Sequence, residues 1–232
     1  MTDGLRDAKA MATKSAWPYP NESEAYRTAR TALLAEEIEL RRHIERVAEQ
    51  RRALPPGGAV TGGYRFDSAE GPVTLADMFG DKQTLVTYSW MFGPERERPC
   101  PMCTNFLGAL NGVGADLAQN VAVAVIARSP VARMQEFAQE RGWRNLTFYS
   151  DPNGAYSRDY HALVNDDEDI PALNVFSRSD GTIRLFYGGE MGPEATDPGQ
   201  DPRGAPDLSP LWTLLDMTPE GRKPDWYPKL DY

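Results

Sequence analysis

The run Val121-Ala122-Val123-Ala124-Val125-Ile126-Ala127 has no polar position that would face water. Seven consecutive small or β-branched apolar residues predict a strand buried on both faces, as in the centre of a parallel sheet. Parallel neighbours require helical crossovers, and the flanking sequence supplies them. Residues 84–91 (TLVTYSWM) read as a second buried strand, 104–119 as a helix, and 146–149 as a short strand. Ser129-Pro130 is read as the cap of a helix running to about residue 141, with Pro at its first position. Residues 172–176 and 182–187 flank Ser179-Asp180-Gly181, a hairpin signal. Residues 208–217 form a final helix. The expected fold is α/β, a three-layer sandwich with a central mixed sheet and helices on both faces.

Three segments are expected. Residues 1–21 are an N-terminal arm without regular structure. Residues 22–54 form a long amphipathic helix, with Asn21-Glu22-Ser23-Glu24 at its start. Residues 55–232 carry the sheet domain and a C-terminal extension. Tyr26, Leu33, Leu40, Val47 and Leu54 recur every seven residues along the helix, widened by Leu34, Ile38 and Ile44. The companion heptad positions, Ala29, Glu36 and His43, are too polar for a zipper seam. The helix either lies on its own domain or packs across a homodimer, with the aromatic C-terminal tail (Trp212, Trp226, Tyr227, Tyr232) as core or second anchor.

Charge narrows the partners. With 25 Lys and Arg against 34 Asp and Glu, the net charge is −9. That opposes nucleic-acid binding, because the phosphate backbone repels an acidic surface. No window reaches the ~18 apolar residues of a membrane span, and no polybasic patch suits anionic lipid. The first twenty residues lack the apolar stretch of a secretory signal, so the expected compartment is the reducing cytoplasm. The acidic stretch 151–170 is expected to be a solvated loop. Residues 188–207, rich in Gly, Pro and Asp, are expected to be a long loop. Asp201, Arg203 and Asp207 within it are either solvated or part of a lid.

The chemistry centres on two cysteines, Cys100 and Cys103, the only ones in the chain. Two thiols cannot build a disulfide framework for 232 residues. Cys100 follows a strand and short loop and opens a helix, with Pro101 at the first helical position. Free N–H groups and the helix dipole there favour an anion and lower a thiol pKa. Arg96 and Arg98 are candidate thiolate stabilisers. Cys103, one turn on, can reach Cys100. Cys100 would attack, a mixed disulfide or sulfenic acid would form, and Cys103 would resolve it. Other readings stand beside this one. A zinc site would need two further ligands, and only His43 and His161 exist. The pair can also be two buried structural thiols.

These residues resemble the thioredoxin superfamily: a strand, Cys100-Pro101-Met102-Cys103 on a helix, then Ile170-Pro171 before a β-hairpin. More closely, the chain resembles the thioredoxin-like domain-of-unknown-function family eight-nine-nine from about residue 20 to the end. Arg51-Arg52-Ala53-Leu54-Pro55, Met91-Phe92-Gly93-Pro94, Pro99-Cys100-Pro101-Met102-Cys103-Thr104, Arg141-Gly142-Trp143 and Arg158-Asp159-Tyr160-His161 carry the match. So do Pro198-Gly199-Gln200-Asp201-Pro202-Arg203 and Asp216-Met217-Thr218-Pro219-Glu220-Gly221-Arg222. The resemblance implies a thioredoxin-like fold, with Pro171 and Pro101 shaping a substrate groove beside the cysteines.

The implied activity is thiol–disulfide oxidoreduction. The partner is an external thiol reductant or a disulfide or peroxide substrate, and no bound cofactor or metal is required. Alternatives are a ligand- or metal-binding module with non-catalytic thiols, and a thiol peroxidase. Departures matter. Pro99 stands where thioredoxins carry an aromatic residue. Residues 84–91 contain no Asp or Glu, so no general acid or base for Cys103 is evident. Glu97 occupies the position of the peroxiredoxin Thr or Ser. His161 is a candidate proton shuttle, or a copper ligand as in copper-delivering relatives, against the plainer reading of a loop histidine.

Overall fold

Alternation along two strands decides which residues meet the cysteines. In the computed structural model, residues 4–165, 167–189, 191, 210–215, 217–219 and 226–231 are described, and the chain forms two units, Met1–Pro55 and Pro56–Tyr232.

The first unit is a pair of helices, α1 (Ala8–Ser15) and α2 (Glu24–Arg52). The expectation of an unstructured arm is corrected by α1. Asp7 caps it by accepting the Ala10 N–H at 2.7 Å. Its apolar residues are Ala and Met, which give no periodic signal. Alanine's helix propensity and packing on α2 nevertheless suffice. Ala8, Ala12, Ala35 and Ile38 are buried together. Ser23 caps α2 through the Tyr26 N–H at 3.1 Å. The helix has 29 residues, roughly 44 Å of rise. Tyr26, Leu33 and Leu40 of its seven-residue stripe, and Ile44 beside it, are exposed.

In the second unit seven strands make one sheet. They are β1 (Arg65–Ser68), β2 (Gly71–Thr74), β3 (Thr84–Ser89), β4 (Ala122–Ala127), β5 (Phe148–Ser150), β8 (Ala172–Ser179) and β9 (Thr182–Gly189). Their order is β2-β1-β5-β4-β3-β8-β9. The short strands β6 (Leu163–Val164) and β7 (Glu168–Asp169) pair separately. β3, β4 and β5 are parallel, and α3 (Pro101–Leu117) and α4 (Val131–Glu140) cross between them. β8 runs antiparallel to β3, and β9 returns through Asp180 and Gly181, both at positive φ (51° and 74°). The order β4-β3-β8-β9, with α3 following β3, is the thioredoxin core.

The sheet has two apolar faces. Val86, Tyr88, Val125, Ala127 and Leu173 face a cluster containing Cys103 and Leu107 of α3 and Met134 and Phe137 of α4. Leu85, Ala124, Ile126 and Phe176 face the other, with Phe79 of a 3-10 turn and Tyr156 of α5 (Ala155–Asp159).

Two local expectations are corrected. The acidic stretch 151–170 holds α5, β6 and β7, and two of its acids are buried. Asp151 accepts the N–H and hydroxyl of Ser157 at 2.8 and 2.7 Å. Asp169 is paired with Arg128 at 2.6 Å. A partnered carboxylate tolerates burial, so charge density alone misled. Ser129 does not cap α4, whose cap position is Pro130. Its N–H goes to the Phe92 carbonyl at 3.0 Å and its hydroxyl to the Gly93 carbonyl at 3.3 Å. The expected long loop lies almost wholly outside the described residues, as do Asp201, Arg203, Asp207, Tyr232 and the Trp212 side chain. The final helix is α6 (Pro210–Leu215).

Gly114 of α3 gives a stability test. A Cβ there would stand 2.6 Å from the Asn145 carbonyl oxygen, a backbone atom. Gly114→Ala would gain up to ~1 kcal/mol of helix propensity but force a backbone shift costing about 1–3 kcal/mol. Lower stability to urea is expected, and a rise would show that the α3 contact yields freely.

Candidate functional site

The residue before a proline is pushed into extended backbone, which is what a helix cap position needs. Pro101 thus fixes Cys100 as the cap of α3, at φ −61° and ψ 127°. The Cys100 side chain makes no full capping bond, yet the N–H groups of Met102 and Cys103 act on its sulfur. Cys103 is 2% exposed under the first turn, and Cys100 is half-buried. Both are free thiols.

The loop from β3 to Cys100 is held at several points. The Trp90 N–H reaches the Ile126 carbonyl at 2.7 Å, and the Cys100 N–H closes on the Met91 carbonyl at 3.1 Å. Arg133 of α4, whose importance the sequence did not suggest, clamps the middle. Its guanidinium donates to the carbonyls of Arg96 and Glu97 and stacks 4.4 Å over the Phe92 ring. Gly93 lies against Asp169 and Arg128, where a Cβ would collide with the carboxylate.

These placements polarise the two sulfurs. The Cys100 pKa falls to about 6. The largest cause is the hydrogen bond from the Cys103 thiol, opposed by burial; the two N–H groups and the Arg96 charge help. Cys103 moves the other way, well above the ordinary thiol range. Its hydrogen bond to Cys100, its burial and the neighbouring negative charge raise it. The Tyr88 hydroxyl and the Met91 N–H pull it down. One sulfur is an anion at neutral pH, and the other holds the proton.

The other expected residues divide. Arg96 acts on Cys100. Arg98 is paired with Asp231 of the C-terminal segment. Pro171 is half-buried just before β8. Because Ala172 pairs with Ser89, Pro171 stands level with Trp90, where the cysteine loop leaves β3. Asp169, two residues earlier, ties that segment to Gly93 through Arg128. His161 is exposed at φ 56°. It follows Tyr160, which packs with the cluster on the opposite face of the sheet from Cys103. Among the described residues no group of three His, Cys, Asp or Glu side chains is placed to hold a metal. No helix among them is long and apolar enough to cross a membrane.

Tyr88 is the site residue that sequence reasoning missed. Alternation along β3 puts it on the α3 side, where the resemblance to thioredoxins implies a carboxylate and a phenol stands instead. Beside the first turns of α3 lies a cavity of about 400 Å³, lined by Thr104, Asn105, Gly108, Arg141, Trp143 and Lys229 among others.

Structural comparison finds similar chains at low identity. A cysteine-to-serine mutant of PrxQ from Xylella fastidiosa is 15% identical, with a TM-score of 0.47 over 58% of this chain and 84% of that one. A hypothetical protein from Sinorhizobium meliloti 1021 is 19% identical, with a TM-score of 0.42 over 64% and 78%. The reduced 2-Cys peroxiredoxin of Plasmodium vivax is 14% identical, with a TM-score of 0.42 over 57% and 81%. No curated protein matches the sequence. The family model described as "Bacterial protein of unknown function (DUF899)" matches residues 17–232, which takes in α2 and the whole second unit, and the chain belongs to that family.

Proposed function

We propose that the protein is a thiol–disulfide oxidoreductase in which Cys100 is the nucleophile and Cys103 the resolving thiol. The observation that carries this reading is the arrangement of the pair. A half-buried sulfur sits at a helix start with its charge favoured, and a buried thiol one turn away donates to it. The Cys100 thiolate attacks a substrate disulfide, and one substrate sulfur leaves as a thiolate. Cys103 then loses its proton and attacks the Cys100 sulfur, releasing the second substrate thiol and leaving a Cys100–Cys103 disulfide. Two electrons pass from the pair to the substrate, and an external thiol returns them. Pro171, level with the exit of the cysteine loop, is the proposed wall of the substrate groove. A disulfide is preferred to a peroxide as electrophile because Glu97 offers an exposed acid where a hydroxyl would polarise the peroxide.

Cys100 is an acid with a lowered pKa, so its reactive form is present above about pH 6 and lost as pH falls through that value. Alkylation of the reduced protein with iodoacetamide should therefore rise to half its plateau near pH 6. A midpoint near the free-thiol ~8.5 would remove the proposal. Stoichiometric oxidation with glutathione disulfide should leave an intramolecular disulfide, seen as loss of both free thiols. Retention of both would count equally against it.

A further inference from the structure

We propose that Tyr88 is a catalytic residue of the second step, donating its hydroxyl hydrogen bond to the Cys103 sulfur as that sulfur becomes an anion. The inference rests on the thiol–disulfide reading above and adds the group that was absent from it. Tyr88 occupies the interior strand β3, between Val125 of β4 and Leu173 of β8. It points to the face covered by α3 and shares the buried cluster of Cys103, each being 2% exposed. Its ring lies 4.6 Å, centroid to centroid, from Phe106. Phe106 is three residues beyond Cys103 and therefore on the same side of α3. The ring is thus wedged between sheet and helix in the cluster that holds Cys103, and its hydroxyl is a donor that favours the Cys103 anion.

The need for such a donor follows from the reduced state. There Cys103 gives its S–H to the Cys100 thiolate. Once Cys100 is held in a mixed disulfide, that acceptor is gone. The Cys103 proton must leave to solvent, and a buried sulfur must carry charge while it attacks. The groups that set its ionisation are Cys100 at the cap of α3, Tyr88 on β3 and the Met91 N–H in the loop after β3, while Arg96 acts on Cys100. Burial and the neighbouring sulfur hold the phenol neutral far above physiological pH, so it donates throughout and never serves as the base. A hydrogen bond to a charged partner is among the stronger ones, and its loss is costly when the charge is buried.

The test follows both steps with an aryl disulfide whose thiolate is coloured, dithiobis-nitrobenzoate. Attack by Cys100 releases one aryl thiolate. Attack by Cys103 on the resulting mixed disulfide releases a second aryl thiolate and a proton to the buffer. In Tyr88→Phe the first phase should be unchanged. The second should slow about tenfold at neutral pH, with its pH midpoint moved upward. Phe106→Leu loosens the same packing while leaving the hydroxyl in place, and it should keep the wild-type second phase. An unchanged second phase in Tyr88→Phe overturns the proposal. So does equal slowing of both phases, or slowing in Phe106→Leu as large as in Tyr88→Phe. Absence of the second release from the wild-type protein overturns the underlying thiol–disulfide reading instead.

Discussion

Cys100→Ser is expected to reduce disulfide turnover to the rate of buffer alone, a loss on the order of a thousandfold or more, as removal of a nucleophile typically produces. A serine hydroxyl is not ionised at neutral pH and forms no disulfide. Cys103→Ser should behave differently. It keeps the attacking sulfur, so one turnover starts, but the mixed disulfide at Cys100 is not resolved from within. Intact-mass measurement after incubation with glutathione disulfide should show a stable single adduct on Cys103→Ser and none on Cys100→Ser. Equal adducts on both variants would show that the two sulfurs do not have distinct roles.

Magnitudes also say what the lowered Cys100 pKa is good for. Moving a thiol from 9.0 to about 6 raises its thiolate fraction at pH 7 roughly ninetyfold. The weaker basicity costs roughly twentyfold in intrinsic nucleophilicity, so the net gain in attack is only about fivefold. As a leaving group the same sulfur gains without that offset. Stabilising the thiolate also stabilises the reduced pair, by roughly tenfold at pH 7, which makes the disulfide at most about 30 mV more oxidising. The lowered pKa therefore speeds attack by Cys100 only modestly. Equilibration against glutathione should show a potential that falls more steeply with pH below 6 than just above it, because the reduced pair holds two protons there and one above.

Arg128→Met should lower stability by about 3–5 kcal/mol, the scale of a buried pair broken on one side. The Arg128 and Asp169 side chains are only 14% and 8% exposed, and their ion pair is 2.6 Å long. Removing the guanidinium leaves a carboxylate against Gly93 and β6 with no opposing charge, and also frees the Asp167 carbonyl, 2.9 Å away in the intact protein. A drop of roughly 6–20 °C in the melting temperature is expected. Arg128→Met combined with Asp169→Leu should regain more than half of it, since matched apolar groups remove the desolvation cost of the charge. The same variant should slow reaction at Cys100, because this pair ties the loop of Gly93 to the segment before Pro171. Wild-type melting of the single variant would mean that water reaches the pair freely.

Much of this was legible along the chain. The seven apolar residues at 121–127, the strand at 84–91 and the turn at Asp180-Gly181 placed the central sheet, because burial and backbone conformation act over a few residues. Pro101 placed Cys100 at a helix start for the same reason. The short helix α1 escaped notice because alanine carries propensity without a hydrophobic stripe. The buried acids Asp151 and Asp169 were hidden by their neighbours' charge, since sequence shows the charge but not its partner.

Local sterics and patterning, written in the order of residues, determined the α/β class, the thiol pair and the sulfur that lies at the end of a helix. Packing across the sheet and through the loops decided the rest. It set Tyr88 beneath Cys103, chose Arg96 rather than Arg98 to act on Cys100, directed Arg133 and Ser129 to the cysteine loop, and left His161 with the opposite face. Those contacts join residues tens of positions apart. Their energies depend on distance and burial in space, which no spacing along the chain encodes.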